Sequence, residues 1–195
     1  MYYTQEDFIN TAGQEALDCI AQARKLTRMY ADTDYKDAEK RQSILKKLFG
    51  SIGIDVEIDT PIHCNYGQNI FIGSHVIINM NCTFVDDKET RIGDYVLIAS
   101  NVQIYTASHP ILPKERLNFG DISGNIPFFR TFAQPVEIQD NVWIGGGSII
   151  LPGVTIGKNS TIGTGSVVTR SIPENCVAFG NPCRVARCFE DSVID

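Results

Sequence analysis

The chain has 195 residues, of which 43% are hydrophobic and 21% charged, an ordinary composition for one soluble globular domain. Its formal net charge of −6 argues against general nucleic-acid binding, so an anionic ligand would need a local basic cluster. No apolar run approaches the roughly 18 residues of a membrane span, and the N-terminus MYYTQEDF lacks the features of a signal peptide. We therefore expect a cytoplasmic protein that is not inserted in a membrane.

The N-terminal region, residues 1–55, has a helical pattern over residues 4–50. It opens with the capping-box sequence Thr4-Gln5-Glu6-Asp7, and small and apolar residues then recur at helical spacing from Phe8 to Tyr30. After a polar break at 32–37, a second helix should end at Gly50 and bury Ile44, Leu45, Leu48 and Phe49 on one face. We expect this region to cap one open end of the structure that follows it.

From about residue 56 to 170, an aliphatic residue returns at every sixth position. The longest run is Ile138, Ile144, Ile150, Ile156, Ile162 and Val168, and small or β-branched residues stand two places before each. Six steps of about 100° would spread these side chains over three sides of a helix, whereas six steps of extended chain keep them on one side. Glycines interrupt the run, so the pattern predicts very short strands separated by corners, stacked as a β-solenoid. A β-sandwich is the alternative, but its turn signals would drift in phase.

Two segments depart from this period. Residues 106–135 form a long loop that contains the sequence Ser108-His109-Pro110 and four phenylalanines. Loops of this length are functional or disordered, and its aromatic side chains suggest contact with another subunit or the wall of a pocket. The phenylalanines are Phe119, Phe128, Phe129 and Phe132. The tail, residues 171–195, carries Arg184 and Arg187.

The six cysteines contain no CxxC pair. We expect reduced thiols that mostly pack in the interior, and we expect neither a metal site nor a disulfide framework. The positions are Cys19, Cys64, Cys82, Cys176, Cys183 and Cys188.

Several stretches of the sequence together resemble the hexapeptide-repeat acyltransferases, and most closely the maltose/galactoside O-acetyltransferase group. These stretches are NYGQNIFIG, INMNCTFVDD, YTASHP, NVWIGGG, ILPGVTIG, GSVVT and FGNPCRV. The resemblance implies a left-handed parallel β-helix, all-β apart from the helical cap, with about three hexapeptides per turn. It also implies a homotrimer that binds acetyl-CoA and a small acceptor between adjacent subunits, and transfers acetyl to a hydroxyl of a sugar or similar molecule.

The same resemblance assigns roles to individual residues. His109 matches the catalytic histidine, and an imidazole can remove the proton of an attacking hydroxyl near neutral pH. Acceptor-binding positions are Asn65, Asn79, Asp87 and, as a possible pocket wall, Trp143. Positions implied for acetyl-CoA are Gly146, Thr164, Thr169, Arg170, Arg184 and Arg187, with Gly146 and Thr164 acting through the main chain.

The sequence also departs from the family pattern. The sugar enzymes carry an acidic residue and an arginine in the helical region, where Thr11 and Ile20 stand here by position. The loop after His109 is about ten residues longer than in the galactoside enzymes and has added aromatic residues. These departures bear on the acceptor, so an amine or an antibiotic remains an alternative acceptor.

Two other classes of protein share the expected architecture. A carbonic-anhydrase-like enzyme needs three histidines that converge on zinc, and the three here, His63, His75 and His109, have no short spacing. A non-catalytic solenoid needs outward arrays of like residues, whereas the outward positions here are mixed. The sequence therefore favours an acetyltransferase that needs no metal.

Overall fold

The structure is a computed structural model that describes residues 3–119 and 127–190. After a 3₁₀ turn at Gln5–Asp7, the helices are Gln14–Ala31 (α1), Ala38–Leu48 (α2) and Pro113–Arg116 (α3). The first ten strands are Phe8–Ile9 (β1), Ser51–Ile52 (β2), Glu57–Ile58 (β3), Ile62–Cys64 (β4), Ile70–Ile72 (β5), Ile77–Ile78 (β6), Cys82–Val85 (β7), Thr90–Ile92 (β8), Leu97–Ile98 (β9) and Gln103–Tyr105 (β10). The later strands are Ala107–Ser108 (β11), Thr131–Ala133 (β12), Val136–Ile138 (β13), Trp143–Ile144 (β14), Ile149–Ile150 (β15), Thr155–Ile156 (β16), Thr161–Ile162 (β17), Val167–Val168 (β18), Cys176–Phe179 (β19) and Arg184–Cys188 (β20).

These strands wind into a left-handed β-helix of about six turns with three flat faces. Face one contains β2, β5, β8, β13 and β16; face two contains β3, β6, β9, β14, β17 and β19, with β20 at its edge; face three contains β4, β7, β10, β15 and β18. Each strand pairs in parallel with its equivalent one turn away, so Ile144 lies between Ile98 and Ile162. We name the three corners one-two, two-three and three-one after the faces that they join.

The six-residue period is confirmed as the pattern of buried positions. Ile144, Ile150, Ile156, Ile162 and Val168 are all fully buried. The positions two residues earlier also point inward, and their hydroxyls are satisfied locally; Ser160, for example, donates to the main-chain oxygen of Pro173 at 2.7 Å. The interior is therefore a continuous column of aliphatic side chains in which each turn packs on the next.

Corner one-two is a ladder of residues in the left-handed conformation. Six residues, one from each turn, have φ between 52° and 60°: Asp55, His75, Tyr95, Asn141, Asn159 and Asn175. Asparagine tolerates this conformation well, and its amide links the turns, since Asn141 donates to Asn159 at 2.9 Å and Asn159 to Asn175 at 2.7 Å. His75 stacks on Tyr95 in the same ladder, with ring centroids 4.6 Å apart.

The helical cap forms, but it begins later than the sequence suggests. The capping box at Thr4–Asp7 starts only the 3₁₀ turn, β1 and an irregular segment follow it, and α1 begins at Gln14. The helical assignment of residues 8–13 was therefore wrong. The second helix ends at Leu48, two residues before the expected Gly50, and its predicted face is buried, with Ile44, Leu45, Leu48 and Phe49 in the interior. α1 packs on β4 and α2 on β2, so the two helices cover the first turn of the β-helix.

The coil extends further at both ends than the expected range of 56–170. Its first strand, β2, begins at Ser51, and its last parallel strand, β19, ends at Phe179. β20 then folds back antiparallel on β19, and Cys176 and Cys188 form a disulfide across this hairpin. The expectation of reduced thiols was wrong for this pair, because spacing along the chain did not reveal that the tail turns back. The other four cysteines are free.

The loop at 106–135 leaves the coil at corner three-one, between the third and fourth turns. The main-chain N–H of Gln134 donates to the carbonyl of Thr106 at 2.8 Å, so the two ends of the loop meet. Within the loop, β11, β12 and the N-terminal β1 form a small antiparallel sheet in the order β1-β12-β11. Phe132 is buried in this sheet, while Phe119 and Phe128 are exposed.

Candidate active site

His109 directly follows β11 and is held by one main-chain contact. Its Nδ1 lies 2.9 Å from the carbonyl oxygen of Arg130. A carbonyl oxygen can only accept a hydrogen bond, so Nδ1 carries the hydrogen and Nε2 keeps its lone pair. The ring also meets Phe129 edge to face, with centroids 5.3 Å apart. The imidazole is thus oriented, exposed, and free to accept a proton at Nε2.

Asn65 and Asp87 lie near His109, also at corner three-one. The side-chain amide of Asn65 donates to Asp87 at 3.1 Å. Burial raises the pKa of the Asp87 carboxyl, while the hydrogen bond from Asn65 and the nearby imidazole of His109 oppose this shift. The structure therefore brings three of the predicted site residues together at one corner.

The helical cap adds Arg24, which the sequence analysis missed. A guanidinium nitrogen of Arg24 lies 3.5 Å from the side-chain oxygen of Asn65. No arginine stands at position 20, but Arg24 stands one turn further along the same helix, α1. Counting in steps of four from Ile20 would have found it. Thr11 lies in the irregular segment before α1.

A second missed residue, Asp86, fixes the main chain under this cluster. Its fully buried carboxylate accepts hydrogen bonds from the N–H groups of Asn65 at 2.8 Å, Tyr66 at 3.0 Å and Gly67 at 2.7 Å. Burial nevertheless raises the pKa of Asp86 to about 6, although these three donors oppose the shift. The adjacent pair Asp86-Asp87 in the sequence was the available signal, because only one of its two carboxylates can face the interior.

Asn79, Gly146 and Thr164 lie on a different corner, corner two-three. Asn79 donates from its amide to the carbonyl of Ile98 at 3.1 Å. Within the described residues, the N–H groups of Gly146 and Thr164 donate to no carbonyl, whereas the residue on either side of each one does. Gly145 lies so close to the next turn that a Cβ atom there would sit 2.6 Å from the nitrogen of Thr164. The corner therefore exposes two unused main-chain donors on successive turns.

Trp143 projects outward from face two, away from His109. It stands in a row with Leu97 and Ile77, and all three side chains are exposed, Trp143 by 53%. In a single chain, Trp143 and His109 therefore lie on different sides of the coil.

The other four predicted coenzyme residues lie towards the C-terminal end of the coil, and their side chains are exposed. Thr169 and Arg170 follow β18 at corner three-one, while Arg184 and Arg187 belong to β20. In the hairpin, Arg184 lies opposite Phe179 and Arg187 lies opposite Val177. The strand register shifts by one residue between these two pairs. Since Phe179 and Val177 are two residues apart, the shift places both arginines on one side of the hairpin. Neither arginine has an acidic partner among the described residues.

Six of the predicted site residues therefore form two groups on one chain. Asn65, Asp87 and His109 share corner three-one, and Asn79, Gly146 and Thr164 share corner two-three. Face three separates the two corners, and about five residues of extended chain, a strand with its flanking residues, span roughly 16 Å. One chain alone does not join these two groups.

The other two histidines lie apart from His109: His63 points outward from β4, and His75 belongs to the corner ladder. Among residues 3–119 and 127–190, no group of three or more His, Cys, Asp or Glu side chains is arranged to hold a metal ion. No helix in those ranges is long and apolar enough to cross a membrane.

Comparison with known proteins identifies the family. Residues 135–170 match the bacterial transferase hexapeptide family (six repeats), and residues 12–53 match the maltose acetyltransferase hexapeptide capping motif. The galactoside O-acetyltransferase of Lactococcus lactis is 38% identical over 193 residues, which cover 98% of this chain and 85% of that protein. The chain therefore belongs to the hexapeptide-repeat acetyltransferases of the galactoside and maltose O-acetyltransferase type.

Two solved structures have the same fold. A maltose O-acetyltransferase from Clostridium difficile is 43% identical, with a TM-score of 0.85 and coverage of 94% of this chain and 93% of that one. A hexapeptide-repeat acetyltransferase from Vibrio cholerae, solved with acetyl-CoA, is 34% identical, with a TM-score of 0.83 and the same coverage. The predicted β-helix and enzyme class are confirmed, and the class excludes the carbonic-anhydrase and non-catalytic alternatives.

Proposed function

We propose that the protein transfers the acetyl group of acetyl-CoA to a hydroxyl of a sugar or similar small acceptor, with His109 as the general base. Acetyl-CoA is the donor. The observation that carries the proposal is the bond between Nδ1 of His109 and the carbonyl of Arg130, which leaves Nε2 as an exposed and oriented proton acceptor.

The chemistry is a direct transfer. As Nε2 of His109 takes the hydroxyl proton, the acceptor oxygen attacks the thioester carbonyl and forms a tetrahedral oxyanion. The free N–H of Gly146 is suited to stabilise that oxyanion. The carbon–sulfur bond then breaks, the imidazolium returns its proton to the leaving CoA thiolate, and the acetyl ester and CoA are released.

The state of the cysteines supports a mechanism without an acyl-enzyme. A cysteine nucleophile must be a thiolate, and burial raises the pKa of Cys64 to about 12 and that of Cys82 to about 11. Burial also raises the pKa of Cys183, and the disulfide occupies Cys176 and Cys188. The remaining thiol, Cys19, lies on α1 against Gln68.

Local positive charge supports the proposed coenzyme site on an otherwise acidic chain. Arg184 and Arg187 share one exposed side of the terminal hairpin, and we assign them to the CoA phosphates with Arg170. Thr169 lies beside Arg170, and the free N–H of Thr164 offers the coenzyme a main-chain donor.

Acceptor recognition is assigned to the polar cluster at corner three-one. Asn65, Asp87 and Arg24 offer amide, carboxylate and guanidinium groups, which suit the hydroxyls of a sugar. Asn79 and Trp143 join them only if a neighbouring subunit supplies them.

Because the two groups of site residues lie on different corners of one chain, and because the family resemblance implies a trimer, we propose a homotrimer with its active sites between subunits. Corner two-three of one chain would meet corner three-one of the next and unite the two groups of site residues. The exposed row of Ile77, Leu97 and Trp143 on face two provides an apolar surface for such contacts. We assign the enzyme to the cytoplasm, where acetyl-CoA is produced and consumed.

The central test is the variant His109→Ala. A positioned base contributes about 10²- to 10⁴-fold, so kcat should fall by that factor while the KM for acetyl-CoA stays nearly unchanged. Thiol release from acetyl-CoA, measured with a panel of sugars, amines and antibiotics, gives both constants and identifies the acceptor. A variant that keeps near-full kcat would refute the role of His109, and an acetylated cysteine on the reaction path would replace it with a two-step mechanism.

A further inference from the structure

The N-terminal arm, which we define as residues 3–9, forms the outer edge of the small sheet that carries His109. In this sheet Phe8 of β1 lies opposite Phe132 of β12, and Phe132 in turn lies opposite Ser108 of β11. His109 is the next residue after Ser108. A single line of strand pairing therefore connects the N-terminal arm to the histidine.

Arg130 links the same two parts of the molecule a second time. Its main-chain oxygen accepts the hydrogen bond from Nδ1 of His109 at 2.9 Å. Its guanidinium carbon lies 4.1 Å from the centre of the Phe8 ring, a cation–π contact. One residue thus orients the imidazole with its backbone and holds the N-terminal arm with its side chain.

Other contacts of the arm bind it to both ends of the loop. The Tyr3 ring stacks on Phe132 with centroids 4.4 Å apart, and its hydroxyl donates to Glu115 in α3 at 2.9 Å. Asp7 accepts a hydrogen bond from the side chain of Gln134 at 3.2 Å. The arm therefore contacts both ends of the loop.

We propose that the N-terminal arm is a positioning element for His109, acting through the contact between Phe8 and Arg130. The arm holds the Arg130 carbonyl where it keeps the imidazole in its Nδ1–H form, with Nε2 free for the acceptor. The inference rests on the proposed role of His109 as the base. Phe8 and Arg130 are positioning residues in this scheme, since neither has to touch the reacting atoms.

The test compares Phe8→Leu, which keeps an apolar side chain but loses the aromatic ring, with Phe8→Tyr, which keeps the ring. Because a misplaced catalytic group costs up to about 100-fold, we expect Phe8→Leu to lower kcat by about 10-fold, with the KM for acetyl-CoA unchanged. Phe8→Tyr should retain the wild-type kcat. Arg130→Met removes the cation and keeps the backbone carbonyl, so it should lower kcat as Phe8→Leu does. It therefore tests the same contact if Phe8→Leu folds poorly.

A second measurement does not depend on activity. Ring ¹⁵N NMR shifts of the full-length protein report which imidazole nitrogen carries the hydrogen, and His109→Ala assigns the His109 signals among only three histidines. We expect the Nδ1–H population of His109 to fall in Phe8→Leu and Arg130→Met, but not in Phe8→Tyr. Unchanged ¹⁵N shifts and kcat in both loss variants would overturn the inference, as would an equal loss in Phe8→Tyr. If His109→Ala kept full activity, the general-base role would be refuted. The positioning contact would still stand if the Nδ1–H population of His109 fell in Phe8→Leu and Arg130→Met.

Discussion

Asp86 shows how one residue at the site makes stability depend on pH. Its pKa is about 6 in the folded state, against an ordinary value of 3.8, because the carboxyl group is fully buried. At a pH between 3.8 and about 6, Asp86 is protonated in the folded chain but ionised in the unfolded chain. Folding is therefore favoured at low pH, and this contribution is lost as the pH rises from about 4 to about 6.

We expect this loss to reach at most about 3 kcal/mol, since one pKa unit corresponds to about 1.36 kcal/mol. The measurement is the free energy of unfolding in urea at a series of pH values from 4 to 7. Asp86→Asn cannot ionise and should have a flatter profile, although it should be less stable throughout because an amide cannot accept all three backbone hydrogen bonds. Parallel profiles for the two proteins would contradict the assignment.

The contacts of individual residues also show which parts of the site could not be predicted from the sequence. The inward positions could be predicted because a six-residue period fixes which side chains face the interior of an extended coil. Arg24 and Asp86 carry no such period, and their contacts join positions 41 and 19 to 21 residues apart. The contact of Arg130 with His109 uses a carbonyl oxygen, which every residue type possesses, so no sequence pattern could reveal that contact.

Among the elements, the terminal hairpin of β19 and β20 provides the clearest test of the coenzyme site. Replacing both Arg184 and Arg187 by alanine should raise the KM for acetyl-CoA about 10-fold or more and weaken its dependence on salt, because charge-assisted contacts to phosphates are lost. The control is Arg91→Ala, which removes an exposed arginine that pairs with Glu89 next to face one, at 2.6 Å. Unchanged affinity for CoA in the double variant would rule out this role.

The elements at the N-terminus explain one wrong prediction. A capping box and helical spacing were both present in residues 4–12, yet Phe8 and Ile9 form a strand. Local helical preference is weak, and the pairing of β1 with β12, together with the aromatic contacts of Phe8, outweighs it here. The second helix was predicted correctly because its apolar face packs directly on the first turn of the coil.

At the scale of the whole molecule, the division of the site between two corners calls for more than one chain, and the family resemblance implies that the assembly is a trimer. Light scattering at micromolar concentration should give a mass near three times the 21.6 kDa of one chain. Leu97→Glu places a charge in the exposed apolar row of face two, so it should dissociate the assembly and abolish activity together. Arg91→Ala again serves as the control and should leave the mass unchanged. A monomeric mass for the wild-type protein would exclude the shared site.

The meeting of the loop ends at Thr106 and Gln134 has a consequence for how such enzymes diversify. Because these residues are already hydrogen-bonded across the corner, the coil passes from its third to its fourth turn as if the intervening residues were absent. Insertions at this point leave every stacked turn in register, so a lineage can lengthen, shorten or exchange the segment without refolding the scaffold. The same property makes the corner a natural grafting point, where the acceptor-facing segment of one enzyme could be transplanted onto the coil of another. The N-terminal arm would have to be exchanged with it, since its strand has no other partner in the described fold.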